Sequence, residues 1–225
     1  MRKQYPTLVY EQQLLCDGHR YIAGLDEAGR GAWAGPVVAA AVILPLDDPE
    51  LAAKLRGVCD SKLCTPHQRD VLSDRIREVA LSWASTGVPA SQIDQVGIVA
   101  STRLAMCECI RQLEPRPDAL LIDALRLPAL QLVQRALIKG DLKSLAIAAA
   151  SILAKTSRDR EMADLDSAYP GYGFARHKGY GTPQHQQALR TLGPTAIHRW
   201  SFAPVAAVAI EWAHYALGVP VRGDE

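Results

Sequence analysis

The chain has 225 residues, a formal net charge of +1, 48% hydrophobic and 22% charged residues. That length can bury one large core, and the near-neutral balance excludes a protein drawn to polyanions by long-range attraction alone. No apolar run reaches the roughly 18 residues of a membrane span and MRKQYPTLVYEQQ lacks a signal-peptide core, so a cytoplasmic chain with no membrane association is expected.

In chain order, Cys16 comes first of five cysteines, followed by Cys59, Cys64, Cys107 and Cys109. Their odd number and scattered spacing form no zinc pattern and fit reduced thiols. Ile22 to Leu25 and Val37 to Leu44 read as neighbouring strands. Between them stand Asp26-Glu27 and then Gly29-Arg30-Gly31. Strand alternation sends Asp26 and Glu27 to opposite faces unless the strand ends or bends there. Acids at a strand end beside a Gly-Arg-Gly turn suit a metal site next to a phosphate clamp. A hairpin with solvated turn charges is the plainer alternative.

Asp47, Asp48 and Glu50 make an acidic turn. Thr65-Pro66 reads as an N-cap with proline at the first helical position, opening a helix to about Val79. Ala80 to Thr86 is a candidate third strand, and Ser91 a candidate cap for a helical region reaching Leu113. Ala119 to Ile122 is a short run of the buried-strand kind that ends at Asp123. A long helix is expected from about Leu142 to Leu165, containing the apolar block Leu145 to Ala154 as a buried segment. Tyr169 to Thr182 is loop-rich. Lys139, Lys143, Lys155, Arg158, Arg160, Arg176 and Lys178 gather in this second half, a basic face suited to local phosphate contacts.

Asp26 and Asp123 thus both end apolar runs, where open α/β sheets place ligands. Asp141 stands at the start of the long helix and reads equally well as an N-cap. Asp159, further along that helix, is the alternative acid and can instead pair with Lys155 or Arg158. Tyr180, between Gly179 and Gly181, is displayed for stacking or for a hydroxyl contact, or else anchors its loop; Tyr172 is the runner-up. Lys62 in Asp60-Ser61-Lys62 is a candidate phosphate contact. His177, His185 and His198 lack the spacing of a helix-borne zinc pair; His185 reads as capping or packing, and His198 with Arg199 as surface or core structure.

Six blocks carry a family resemblance in one order: DEAGRGAWAGPVVAAAVIL from Asp26, DSK from Asp60, LLIDALRLP from Leu120, IKGDLKSLAIAAASILAKTSRD from Ile138, HKGYGTPQH from His177 and HRWSFAPV from His198. Together they resemble ribonuclease HII from about Ile22 to Val205. The resemblance implies an α/β ribonuclease-H-like fold: a mixed central sheet flanked by helices, with a small helical C-terminal extension. Residues 1–205 are then a catalytic domain that includes a substrate-binding C-terminal segment, and 206–225 a tail.

The activity implied is endonucleolytic hydrolysis of the RNA strand of RNA–DNA hybrids and cutting at ribonucleotides embedded in duplex DNA. Two metal ions, Mg²⁺ or Mn²⁺, would assist, leaving 5′-phosphate and 3′-hydroxyl ends. The resemblance assigns Asp26, Glu27, Asp123 and Asp141 to catalysis, the first three as metal ligands. It gives recognition of the 2′-hydroxyl to Gly29, Arg30 and Gly31; Lys62 and Tyr180, from their own settings, are the further candidate substrate contacts. The partners implied are hybrid duplexes and ribonucleotide-containing DNA, bound by a monomer. Ala32-Trp33 and Trp200 depart from the family's commoner residues, which leaves the detailed substrate preference open. A non-catalytic nucleic-acid-binding module is the reading of a different class, but binding alone gains nothing from clustered acids near phosphates. A nuclease of branched DNA is a third reading, disfavoured by Gly29-Arg30-Gly31 with Tyr180.

Overall fold

The first long strand, β1 (Ile22–Ala28), runs three residues past the expected end at Leu25, so Asp26 and Glu27 lie within it. Its partner β2 (Val37–Ile43) explains the extension, since the antiparallel ladder continues to Ala28 opposite Val38. The computed structural model describes residues 5–216, beginning with helix α1 (Val9–Cys16) ahead of β1. After β2 come a short α2 (Leu51–Lys54), a 3-10 turn at Ser61–Leu63, and α3 (Pro66–Val79). Helix α3 starts as expected: Thr65 Oγ1 accepts the Gln68 N–H while the Gln68 side chain takes the Thr65 N–H.

Strand β3 (Ser82–Val88) is shifted two residues from its expected place. The next helical region is two helices, α4 (Ala90–Val96) and α5 (Ile98–Gln112), broken at Gly97, and Pro89 rather than Ser91 precedes the first. Strand β4 (Ala119–Asp123) matches the buried run. Strand β5 (Val133–Leu137) was not foreseen: it is an edge strand with half-exposed residues and carries no apolar alternation strong enough to announce it. The sheet order is β3-β2-β1-β4-β5, with β4 parallel to both β1 and β5.

Helix α6 (Leu145–Ala168) begins three residues later than expected, because Gly140–Leu142 forms a separate 3-10 turn. Ser144 Oγ accepts the Ile147 N–H at 3.1 Å and so takes the capping place that Asp141 was a candidate for. Buried Glu11 of α1 reinforces this start, accepting the Ser144 hydroxyl at 2.6 Å and the Ala146 N–H at 2.9 Å. The block Leu145 to Ala154 is buried throughout, as expected. Its alanines let the helix backbone press on β1: a methyl added at Gly24 would lie 2.2 Å from the Ala146 carbonyl carbon. A close-packed interior offers no such room.

The segment Tyr169 to Thr182 holds one short helix, α7 (Phe174–His177), and is followed by α8 (Pro183–Leu192) and α9 (Ala203–Ala216). Helix α9 runs across the 205/206 position, and residues 217–225 of the expected tail lie outside the described residues. The chain forms two compact units. Residues up to Ala28, Val38–Gly87 and Thr102–Arg158 make the first, which contains almost all of the sheet. Gly29–Val37, Val88–Ser101 and residues from Asp159 onward make the second.

Candidate active site

In the first unit the sheet register brings the acids together. Leu25 lies opposite Ile122 in the parallel ladder, so the following residues, Asp26 and Asp123, are neighbours on adjacent strands. Asp26 is only 5% exposed, and its Oδ1 accepts the Glu27 N–H at 2.7 Å. Burial, then the charges of Glu27 and Asp123, push its carboxyl well above the usual range, against hydrogen bonds from Ser151 and the Glu27 backbone. Glu27 is half-exposed, the asymmetry that alternation along a strand produces.

Asp123 is tied to the turn that carries Asp141: Gly140 N–H donates to Asp123 Oδ1 at 2.7 Å. Asp141 is 7% exposed, and burial with the charges of Asp60 and Asp123 raises its carboxyl. Lys62 balances this cluster. Partial burial alone would lower its ammonium, but Asp60, Asp141, Asp26 and Asp123 together outweigh that and raise it. Asp60, whose side chain accepts the Lys62 N–H at 2.9 Å, is therefore an additional acid that the sequence reading passed over. The Ser61 and Ser151 hydroxyls, 3.1 Å apart, join this turn to α6 beside Asp26. Asp159 lies in the second unit, where its carbonyl accepts the Lys178 ammonium at 3.1 Å.

Among the described residues no three His, Cys, Asp or Glu side chains form a ready cage for an ion. The donor set nevertheless fits Mg²⁺ or Mn²⁺: hard carboxylate oxygens that repel one another, of a number Mg²⁺ can use while keeping waters and taking substrate phosphate oxygens.

In the second unit, Gly29-Arg30-Gly31 and Tyr180 are set on one buried scaffold. Fully buried Arg199 donates to the carbonyls of Arg30 at 2.8 Å, Pro36 at 3.0 Å and Gly35 at 3.1 Å. In a trans peptide the N–H points opposite to its C=O, so this grip turns the Gly31 N–H away from the guanidinium. Trp33 N–H and Ala34 N–H both donate to the Gly179 carbonyl, at 2.8 and 3.3 Å. Gly179 itself has φ +77°, and a methyl on it would strike the Ala34 carbonyl oxygen at 2.4 Å. Trp33 lies over Gly181, where an added methyl would sit 2.2 Å from its ring. Tyr180 is 36% exposed, in keeping with a displayed ring. Tyr172 is not: it is buried, stacks on Phe174 at 5.1 Å and donates its hydroxyl to the Gly193 carbonyl, which removes it as the runner-up.

The three histidines belong to the same scaffold. His198 Nδ1 accepts the Thr195 N–H, so its Nε2 carries the proton and donates to His185 Nε2 at 3.1 Å. His185 Nδ1–H then donates to the Tyr180 carbonyl at 3.0 Å. His177 stacks on His185 at 4.5 Å, accepts the Gly179 N–H at Nδ1 and donates from Nε2 to the Tyr172 carbonyl. The hydrogen-bond partners of the three rings fix which nitrogen of each faces a donor and which an acceptor.

Burial lowers His185 and His198 to about 4 each. Between that value and the unfolded value near 6.5, the unfolded chain binds protons that the folded one refuses, so these rings withdraw stability as pH falls through that window. The raised Asp26, Asp141 and Glu11 carboxyls act in the opposite direction. The contribution of one ring is therefore read as a difference. The melting temperature of wild type should fall more steeply than that of His198→Gln from pH 7 to 4.5, and parallel curves would show that His198 is not held neutral.

A sheet in this order, with acids aligned on β1 and β4 and a further acid on the turn after β5, defines the ribonuclease-H-like class of metal-dependent nucleases. The crystal structure of ribonuclease H2 from Pyrococcus horikoshii OT3 superposes with a TM-score of 0.73 at 25% identity, covering 86% of this chain and 99% of that one. The family model described as Ribonuclease HII matches residues 23–205. Ribonuclease HII of Roseiflexus castenholzii is 54% identical over 213 residues, 93% of this chain and 94% of that protein, and that of Chloroflexus aggregans is 50% identical over 200 residues, 89% and 94%. The chain belongs to the ribonuclease HII family. It is thus a metal-dependent type 2 ribonuclease H, an endoribonuclease of RNA–DNA hybrids.

Proposed function

We propose that this enzyme also cuts at single ribonucleotides embedded in duplex DNA, and that two divalent ions, Mg²⁺ or Mn²⁺, assist the hydrolysis. The observation that carries the reading is the cluster of Asp26, Asp123 and Asp141 around Lys62, with Asp26 held above the usual carboxylate range by burial and by its acidic neighbours. Asp26, Glu27 and Asp123 would hold the metal, with Asp141 completing the catalytic set. When bound, such ions lower the pKa of an attacking water and stabilise the leaving oxygen.

The chain's own groups do the rest. Lys62 offsets the acids' charge and supplies a cation to an incoming phosphate. The Gly29-Arg30-Gly31 element offers a guanidinium and close-packed backbone N–H groups to the sugar-phosphate at the ribonucleotide. Tyr180 stacks on the sugar or base beside it. Water rather than the 2′-hydroxyl attacks phosphorus, so the hydroxyl serves recognition and the products carry 5′-phosphate and 3′-hydroxyl ends. The enzyme acts as a cytoplasmic monomer, and no helix among the described residues is long and apolar enough to cross a membrane.

The test uses a DNA duplex carrying one ribonucleotide and, in parallel, a long hybrid. Tyr180→Phe keeps the ring and should stay within a few-fold of wild type, while Tyr180→Ala should slow junction cleavage on the order of 100-fold, the cost of a lost aligning contact. Equal rates for Tyr180→Ala and wild type on both substrates would exclude Tyr180 from the site.

A further inference from the structure

Cys59 and Cys64 flank the turn that presents Lys62 to the acids, and nothing in the hydrolysis uses them. Two buried thiols are ordinary core filling when their sulfurs face apart. Here they face each other: the two Sγ atoms are 3.6 Å apart, and both approach the Asp60 carbonyl oxygen, at 3.8 and 4.0 Å. The hexapeptide between and including them is already curled, with Leu63 N–H donating to that same carbonyl at 2.9 Å and Arg69 Nη1 clasping the Ser61 and Cys64 carbonyls at 3.2 and 2.7 Å. Access is one-sided. Cys59 is 1% exposed, whereas Cys64, 7% exposed, lines a cavity of ≈ 370 Å³ together with Gly57, His67 and Leu72.

We propose that Cys59 and Cys64 are a redox-responsive thiol pair whose oxidation bridges the Ser61–Leu63 turn and misplaces Lys62. The oxidant is a small hydroperoxide reaching Cys64 through the cavity. The Cys64 sulfur attacks the peroxide: an S–O bond forms, the O–O bond breaks, and water leaves with the thiol proton, giving a sulfenic acid. The Cys59 sulfur then attacks the Cys64 sulfur, the S–S bond forms, the S–O bond breaks, and a second water leaves. Two electrons pass from the two thiols to one hydrogen peroxide. A low-molecular-weight thiol reverses the bridge by exchange. Since a disulfide requires about 2.05 Å between sulfurs, they must close by about 1.5 Å. A displacement of that order beside an aligned site costs on the order of 100-fold in rate.

The bridge itself is independent of the proposed catalytic reading; its effect on turnover rests on that reading. The full-length protein, reduced and then treated with hydrogen peroxide, is followed by intact mass, peptide mapping and hydrolysis of a long RNA–DNA hybrid in Mg²⁺. The expected result is a loss of 2 Da. A Cys59–Cys64 linked peptide and a turnover reduced by about 10-fold to 100-fold should accompany it, reversed by dithiothreitol. Both Cys59→Ala and Cys64→Ala should lose the bridge and the peroxide sensitivity. A peroxide-treated protein that gains oxygen at these thiols without bridging, that bridges other cysteines, or that bridges this pair with unchanged turnover overturns the proposal. A reduced wild type that hydrolyses the long hybrid but leaves a single embedded ribonucleotide uncut overturns the proposed function instead, with the mass result unaffected.

Discussion

Asp123→Asn should abolish hydrolysis of an RNA–DNA hybrid while raising the stability of the metal-free protein. On the proposed reading Asp123 would hold a metal, and losing its charge would then remove on the order of 4 kcal/mol of transition-state stabilisation, about 1,000-fold in rate. The stability gain has a definite sign. Asp26 has a folded-state carboxyl raised by burial, Glu27 and Asp123, so the folded protein binds its proton more readily than the unfolded chain. Its ionisation costs no stability below the unfolded value near 3.9, and the cost grows as pH rises toward the folded value. In EDTA, Asp26→Asn and Asp123→Asn should therefore melt above wild type at pH 8, with the difference narrowing as pH 4 is approached. Asp141→Asn should slow turnover strongly with partial rescue at raised metal concentration, whereas Asp159→Asn should leave turnover within a few-fold. An Asp123→Asn enzyme with wild-type turnover removes the metal reading, and a reversed Asp141 and Asp159 pattern reassigns the fourth acid.

Asp26 and Asp123 were legible because each follows an apolar run of the buried-strand kind. Asp26 and Asp123 follow the parallel ladder Ile22–Leu25 with Ala119–Ile122 and become neighbours through it. The sequence misjudged β1 itself, since two adjacent carboxylates read as the end of a strand although pairing with β2 carries it to Ala28. Asp60 was passed over because it was read only as part of a motif whose lysine matters; its charge reaches Asp141 and Lys62 through space, which no spacing encodes. Arg199 illustrates the same limit. An arginine beside His198 and Trp200 reads equally as surface or core, and only packing decides: its donors reach carbonyls more than 160 residues earlier in the chain. Tyr172 and Tyr180 both sit among glycines, and only packing tells them apart: Tyr172 faces Phe174 inside the core while Tyr180 remains accessible.

Gly31→Ala should leave the fold unchanged and cut ribonucleotide cleavage on the order of 100-fold. Glycine at 31 is not required by the backbone: its φ lies outside the left-handed region and an added methyl meets nothing within 4 Å. The melting temperature should therefore hold or rise slightly, as it does where alanine only restricts the unfolded chain. What the methyl obstructs is close approach from outside. Arg199, gripping the Arg30 carbonyl, turns the Gly31 N–H away from the buried guanidinium, and a cation on the carbonyl side strengthens that N–H as a donor. A sugar-phosphate drawing on this donor must come within about 3 Å of the backbone, which a methyl at 31 impedes. Gly29→Ala is the contrasting control, since φ +89° at Gly29 penalises any side chain and should lower the melting temperature as well as activity. Raised KM for the single-ribonucleotide duplex, with an undisturbed melting curve, is the expected signature of Gly31→Ala. Wild-type kinetics in that variant would mean that the substrate does not approach the chain at Gly31, and recognition of the ribonucleotide would have to rest on Arg30 and Tyr180.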